Sequence, residues 1–251
     1  MLVRLVRNAT LIVELAGVRL LVDPMLNPAG AVDGVPGTPS PRPNPTVELP
    51  LRAEDVVAGI DAVLVTHLHN DHFDARAREL LDEDLPLACQ PDDVDRLREY
   101  GFGDLRPVEG AIDLLGVAVA RTDGRHGTGE LGASLGPVSG FVLRSPGEPT
   151  LYVAGDTIWC DEVDAALTEH GPDVVVVNAS AARFLEGDPI VMTIDDVLAT
   201  ARAAPAATVI AVHLEAISHA QDSRAAVRGA AVEAGLEGRV LVPDDGEALE
   251  V

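Results

Sequence analysis

Lysine is missing from this chain. All 18 basic residues are arginines, set against 41 aspartates and glutamates for a formal net charge of −23. Aromatic residues are nearly as scarce, with one Trp, two Tyr and four Phe in 251 residues. A field this acidic repels phosphate backbones and anionic membranes, and few rings remain on which bases could stack, so neither nucleic acid nor a membrane surface is an expected partner. The only cysteines, Cys89 and Cys160, cannot staple a chain of this length, and neither sits in a paired metal-ligand spacing. A reducing cytoplasm is the expected compartment. No uncharged apolar run approaches the length of a membrane span, and the opening Met1-Leu2-Val3-Arg4-Leu5-Val6-Arg7 is broken by charge before it could act as an export signal. A GC-rich genome or a salt-loaded cytoplasm would also produce a lysine-free, acidic composition, so the charge alone names no reaction.

What the chain does have is a 47% apolar content built from Val, Leu, Ala and Ile, ample for a core. Short β-rich runs alternate with amphipathic stretches that read as helices near 54–59, 74–82, 92–100, 161–170, 195–204 and 222–234. At the start, Val3 to Leu15 and Val18 to Val22 read as strands joined by a tight hairpin at Ala16-Gly17. The Pro-, Gly- and Asn-rich stretch between Pro24 and Pro50 has no periodicity. A linker there would need a folded unit in the 23 residues before it, so it reads as a long ordered loop within one domain spanning 1–251.

The strand runs end on a particular kind of residue. Val18–Val22 ends at Asp23, Ala62–Val65 at Thr66-His67-Leu68-His69-Asn70-Asp71-His72, Val117–Ala120 leads towards His126, Leu151–Ala154 ends at Asp156, Val174–Val177 at Asn178, and Thr208–Val212 at His213. In layered α/β folds strand ends and the loops beyond them converge on one mouth. The densest group carries three of the chain's seven histidines within six positions. His67 and His69 project to one side of an extended chain and can share a cation, while Asp71 and His72 follow on a turn and can face another. Imidazoles mixed with a carboxylate suit zinc, manganese or iron better than calcium or magnesium.

The ordered set of Thr66 to His72, His126, Asp156 and His213 resembles the metallo-β-lactamase superfamily over nearly the whole chain. Arg7-Asn8-Ala9-Thr10, Asp23-Pro24, Gly155-Asp156-Thr157 and His213-Leu214-Glu215-Ala216-Ile217 look most like its hydrolases related to ascorbate-6-phosphate lactonase. The resemblance implies an αββα sandwich with mixed sheets and a dinuclear site at one edge. It also implies His67, His69 and His126 as ligands of one ion, Asp71, His72 and His213 as ligands of a second, and Asp156 as the bridge. Two such ions, zinc or manganese, can hold a bridging hydroxide and polarise the electrophile.

Around this core the polar candidates have separate expected roles. Asp23 would hydrogen-bond a ligating imidazole and fix its tautomer, and Asp71 and His219 are the candidate catalytic groups, His219 as proton donor or substrate contact. Asn44, Arg42, Arg125 and Glu215 are substrate-contact candidates, since arginine forks suit carboxylate or phosphate groups. The expected activity is a metal-dependent hydrolase acting on an ester, lactone or phosphoester of a small metabolite, anionic ones included, with homo-oligomerisation left open. Phosphodiester or RNA cleavage on the same core is one alternative, and a non-catalytic metal- or ligand-binding protein is another.

Overall fold

The computed structural model describes residues 1–251. Two seven-stranded sheets face each other. The first contains β1 (Leu2–Arg7), β2 (Thr10–Leu15), β3 (Val18–Val22), β4 (Ala62–Val65), β5 (Leu87–Cys89), β6 (Leu105–Pro107) and β14 (Ala248–Glu250), in the order β14-β1-β2-β3-β4-β5-β6. The second contains β7 (Ala111–Leu114), β8 (Val117–Asp123), β9 (Ser139–Arg144), β10 (Leu151–Val153), β11 (Val174–Asn178), β12 (Thr208–Val212) and β13 (Val240–Leu241), in the order β13-β12-β11-β10-β9-β8-β7. Alternate residues of the central strands point inward, so Leu5, Leu20 and Leu64 from one sheet meet Phe141, Val153, Val176 and Ile210 from the other in one buried core. Each such side chain contributes about 1.5–3 kcal/mol by leaving water.

The outer faces are covered by helices. On the first sheet lie α1 (Ala53–Val57), α2 (Ala75–Leu80) and α3 (Val94–Glu99), packed through Val56, Ala77 and Leu97. On the second lie α5 (Asp161–His170), α6 (Ile194–Ala203) and α7 (Arg224–Glu233), packed through Val163, Val197 and Val227. The expected four-layer αββα order with mixed sheets is therefore what the chain adopts. A short helix, α4 (Gly129–Leu135), stands apart from these layers near one end of the sandwich. Sequence reading missed it, because a segment opening on Gly and holding two glycines in seven residues shows no apolar stripe.

The first expected strand is in fact two. Asn8 takes a left-handed conformation, φ 59°, and turns the chain between β1 and β2. The hairpin at Ala16-Gly17 is present, with both residues at positive φ. The 24–50 stretch is an ordered loop. It is pinned by Arg7, wholly buried, whose guanidinium donates to the carbonyl oxygens of Met25, Asn27 and Val47 at 2.8, 2.8 and 3.0 Å. Burial brings the Arg7 pKa down to about 10, against the pull of nearby Asp74, Asp245 and Glu48, so it remains charged at neutral pH.

Strand direction explains why the polar residues meet. β3 through β6 are mutually parallel, as are β10 through β13. β8 runs antiparallel to β9, and β9 antiparallel to β10, so β8 points the same way as β10. The C-terminal ends of β3, β4, β8, β10, β11 and β12 consequently open on one edge, where Asp23, Thr66, His126, Asp156, Asn178 and His213 end these strands or follow within three residues.

Candidate metal centre

At that edge two groups of side chains draw together, each able to hold a metal ion: His67, His69 and His126, and Asp71, His72, Asp156 and His213. The opposed ring nitrogens are close, with His67 Nε2 2.9 Å from His69 Nδ1 and His72 Nε2 3.2 Å from His213 Nε2. The Asp156 carboxylate stands between the groups. Its Oδ2 is 3.6 Å from His126 Nε2, 3.3 Å from His72 Nε2 and 4.0 Å from His67 Nε2, and its Oδ1 is 3.6 Å from His213 Nε2. Asp71 Oδ2 lies 3.2 Å from His213 Nε2.

Each imidazole turns its other nitrogen to a fixed partner. Asp23 Oδ2 accepts from His72 Nδ1 at 2.8 Å and from the Thr66 hydroxyl at 2.7 Å, and the Thr66 oxygen meets His67 Nδ1 at 3.1 Å. Since that hydroxyl proton is given to Asp23, the oxygen can accept from His67, and one carboxylate sets the tautomer of a ring in each group. The Ile190 carbonyl accepts from His126 Nδ1 at 2.8 Å, and the Leu135 carbonyl, at the end of α4, meets His69 Nε2 at 3.1 Å. Ser180 Oγ lies 3.1 Å from His213 Nδ1. With the outer proton so placed, each inner nitrogen can offer its lone pair whenever its ring is neutral, which is the arrangement that ligating histidines require. The donor set therefore fits a metal.

The electrostatics follow from charge density. Burial and the neighbouring rings of His72, His69 and His126 push the His67 pKa well below its ordinary value, despite Asp156. Burial likewise depresses His126. For His72, burial is outweighed by Asp156, Asp71 and Asp23, which hold it well above the usual range. For Asp156, burial would raise the pKa, but His213, His72 and His126 keep it well below the carboxylate norm.

The backbone at this edge is shaped to match. Gly155 has φ +71°, and a Cβ there would come within 2.7 Å of the Ser139 carbonyl, so only glycine lets the chain turn Asp156 into the cluster. Asn8 ties both sheets to the site, since its carbonyl accepts from His213 N at 2.8 Å and its amide donates to the Asp71 carbonyl at 3.0 Å. Asp23, at φ 45°, and His213, at φ 64°, hold left-handed conformations that L side chains adopt only when the surroundings impose them.

Beside the cluster lies a cavity of 220 Å³ whose apolar wall is formed by Val35, Leu135, Ala182, Phe184 and Ile190. Asp71, buried His219 and exposed Asn70 line both it and a second chamber of 100 Å³. Two broader depressions of 620 Å³ each lie elsewhere, one between β8 and α5, the other beside Met1 and Glu148, and neither borders the ligand groups.

Not every expected residue reaches this site. Arg125 forms an ion pair with Glu162 at 2.8 Å, so its guanidinium faces α5 rather than the cavity. Glu215 accepts from the backbone N of Arg224 at 2.9 Å and pairs with its guanidinium at 2.7 Å, holding the start of α7. Arg42 is exposed and borders neither chamber. Asn44 does line the smaller chamber, with its Oδ1 held by the Ser218 backbone N at 2.8 Å. Sequence reading did not single out Ser180, Val35 or Phe184, and gave Thr66 and Asn178 no supporting role. Asn178, which donates to Asp156 Oδ1 at 2.6 Å, had the legible signal of ending a strand.

Comparison with known proteins agrees with this geometry. A beta-lactamase superfamily domain model matches residues 18–214. The chain is 36% identical to the UPF0173 protein YddR of Bacillus subtilis strain 168 over 97% of each chain. It resembles the crystal structure of an isothiocyanate hydrolase from Delia radicum gut bacteria, with a TM-score of 0.95 and 36% identity, covering 100% of this chain and 99% of that one. A possible metal-dependent hydrolase from Veillonella parvula DSM 2008 superimposes with a TM-score of 0.97 at 32% identity, over 100% and 99% of the two chains. The chain thus belongs to the metallo-β-lactamase superfamily and, within it, to the UPF0173 family of metal-dependent hydrolases.

Proposed function

We propose that this hydrolase works with two divalent transition-metal ions and attacks a small, uncharged carbon electrophile, with an isothiocyanate as the leading candidate. The observation that carries the reading is the wall of the 220 Å³ cavity, which is aliphatic and aromatic beside the ligands and contains no arginine. An anionic metabolite or a phosphodiester would find no cation there, and Arg125, the obvious candidate, is already paired with Glu162. An uncharged electrophile with an apolar substituent needs none. The similar structure named an isothiocyanate hydrolase supports the same class.

Five imidazole nitrogens and two carboxylates suit zinc or manganese. Bound there, two ions would supply a water acidic enough to react at neutral pH and a Lewis acid for the electrophile. The chain's own groups handle the protons. Asp71, whose side chain is 22% exposed and faces the cavity, takes a proton from the attacking water. Asp71, once protonated, returns that proton to the substrate nitrogen, towards which His219, kept neutral chiefly by burial, donates a hydrogen bond. For R–N=C=S, addition of one water at the central carbon and cleavage of the carbon–nitrogen bond give R–NH2 and carbonyl sulfide. Esters and lactones form the second class, favoured by the resemblance of Arg7–Thr10 and Gly155-Asp156-Thr157 to the lactonase-like branch.

The test is a panel of alkyl isothiocyanates, lactones, aryl esters, phosphomonoesters and phosphodiesters, offered to zinc- and manganese-loaded protein beside Asp156→Ala. Metal-dependent release of amine and carbonyl sulfide is expected. Cleavage of phosphodiesters with every carbon electrophile left intact would overturn the reading, and turnover of nothing would favour a binding protein. Metal analysis should find two ions per chain, and a plateau at one would reject the dinuclear site.

A further inference from the structure

We infer that the 100 Å³ chamber behind His219 is a binding subsite for the apolar substituent of the substrate. This rests on the reading of the site as a hydrolase of small uncharged electrophiles, and it adds where selectivity among them arises.

The chamber adjoins the metal-side cavity, and Val35, Asn70, Asp71 and His219 line both. Away from those shared residues its wall offers Met25, Val32, Pro45 and Ile217 beside the amides of Asn27 and Asn44. Exposed Asp33 also lines it, and together with Asp71 it disfavours an anionic tail. A space of 100 Å³ corresponds to about three water-sized groups, so it suits a substituent of roughly three or four carbons.

Two further observations mark it as a built site. The first is His219, only 8% exposed, whose Nδ1 is buried with no hydrogen-bond partner. Buried polar atoms are nearly always paired, and an orphan on a wall shared by both cavities fits a partner that arrives with the ligand. The second is the anchoring of the wall. Arg7 clamps the Met25 and Asn27 carbonyls, Val32 and Asn44 exchange backbone hydrogen bonds at 2.9 and 2.8 Å, and Asn44 Oδ1 is fixed by Ser218 N. The loop is tied on both flanks of the chamber, so the space is preformed rather than a gap that closes on packing.

The test uses zinc-loaded protein and N-alkylureas from methyl to hexyl, which are uncharged, carry hydrogen-bonding nitrogen beside an alkyl group, and need no turnover. Binding is read from the 15N chemical shifts of the His219 ring. The dissociation constant should fall about fourfold per added methylene up to propyl or butyl and then rise, because each buried CH2 is worth about 0.8 kcal/mol. In Val32→Trp the gain with length should disappear while zinc content and melting temperature match the parent. Val32 borders only this chamber and is 37% exposed, so the replacement need not disturb the core. Length-independent binding, an unchanged gain in Val32→Trp, or shifts confined to other histidines would each overturn the subsite. Isothiocyanate turnover is measured separately. Its absence with length-dependent urea binding sinks the proposed reaction alone, whereas turnover without length dependence sinks the subsite alone.

Discussion

The two ligand groups share the company of Asp156 but are built differently. His67, His69 and His126 form a group with no carboxylate of its own, and two of its rings lean on carbonyls at Leu135 and Ile190, which belong to a short helix and a loop. The second group contains Asp71 and Asp156, has Asp23 behind His72, and includes His213 directly at the end of β12. Negative charge is thus concentrated on one side. The difference teaches that the second group should fill first and hold its ion more tightly, since a divalent cation gains most where buried carboxylates are already fixed.

The most severe way to break that comparison is to remove the residue both groups touch. Asp156→Ala should abolish binding at both and lower turnover by at least about a thousandfold, equivalent to ~4 kcal/mol of transition-state stabilisation. Metal analysis and kinetics on the same preparation check it. Retention of two ions would show that Asp156 does not join the groups.

Asp23 is the next target, because it holds His72 directly and His67 through Thr66. Asp23→Ala should weaken metal affinity by about 10–100-fold at both groups, as removal of such outer partners commonly does, with Asp23→Asn recovering part of the loss. Competition with a chromogenic chelator measures this. Loss at the second group alone would mean that the Thr66 relay carries nothing.

Much of this site could be read in the chain before any fold was known, and the reason is local. His67, His69, Asp71 and His72 lie on one loop, and Asp23, His126, Asp156 and His213 each follow a recognisable strand. What could not be read depends on docking between distant elements. Arg125 and Glu215 look like substrate contacts until α5 brings Glu162 to one and α7 brings Arg224 to the other. Ser180 is an unremarkable serine until β11 and β12 align it with His213. The fold shows the same division. α5, bounded by Asp161 and the Gly171 C-cap at φ 52°, begins and ends where its sequence signals place it, whereas the three-residue strands β5 and β6 exist only by pairing with neighbours.

Ser180 also gives a finer test of the asymmetry. Ser180→Ala removes the hydroxyl beside His213 Nδ1 and should cost ~1 kcal/mol, or about fivefold in affinity, at the second group only. Calorimetric titration of the metal-free protein, resolving the two loading steps, would show the tighter step weakened. A change confined to the weaker step would reverse the assignment of which group fills first.

The smallest effect concerns a carboxylate just outside the cluster, and it tests whether paired cations, rather than the fold in general, let acidic residues be buried here. Asp93 sits at the start of α3 with only the Gln90 amide as its side-chain donor, 3.0 Å away. Burial, with Asp92 and Asp23 adding repulsion, raises its pKa to about 6, the opposite of what the imidazoles do for Asp156. The sign follows from linkage: a folded pKa raised above the unfolded value means that the protonated form is favoured in the fold. Its stabilising contribution is complete below about pH 3.8 and is lost as the pH rises through about 6. A shift of this size would be worth ~3 kcal/mol if fully felt, and solvent screening of a partly exposed group brings it to ~1 kcal/mol. Asp93→Asn keeps an oxygen for Gln90 and removes the charge, so the variant should be more stable than the parent at pH 8 by about that amount. The advantage should shrink towards zero near pH 4. Urea denaturation at the two pH values measures it, and an equal effect at both would show that the charge on Asp93 costs the fold nothing.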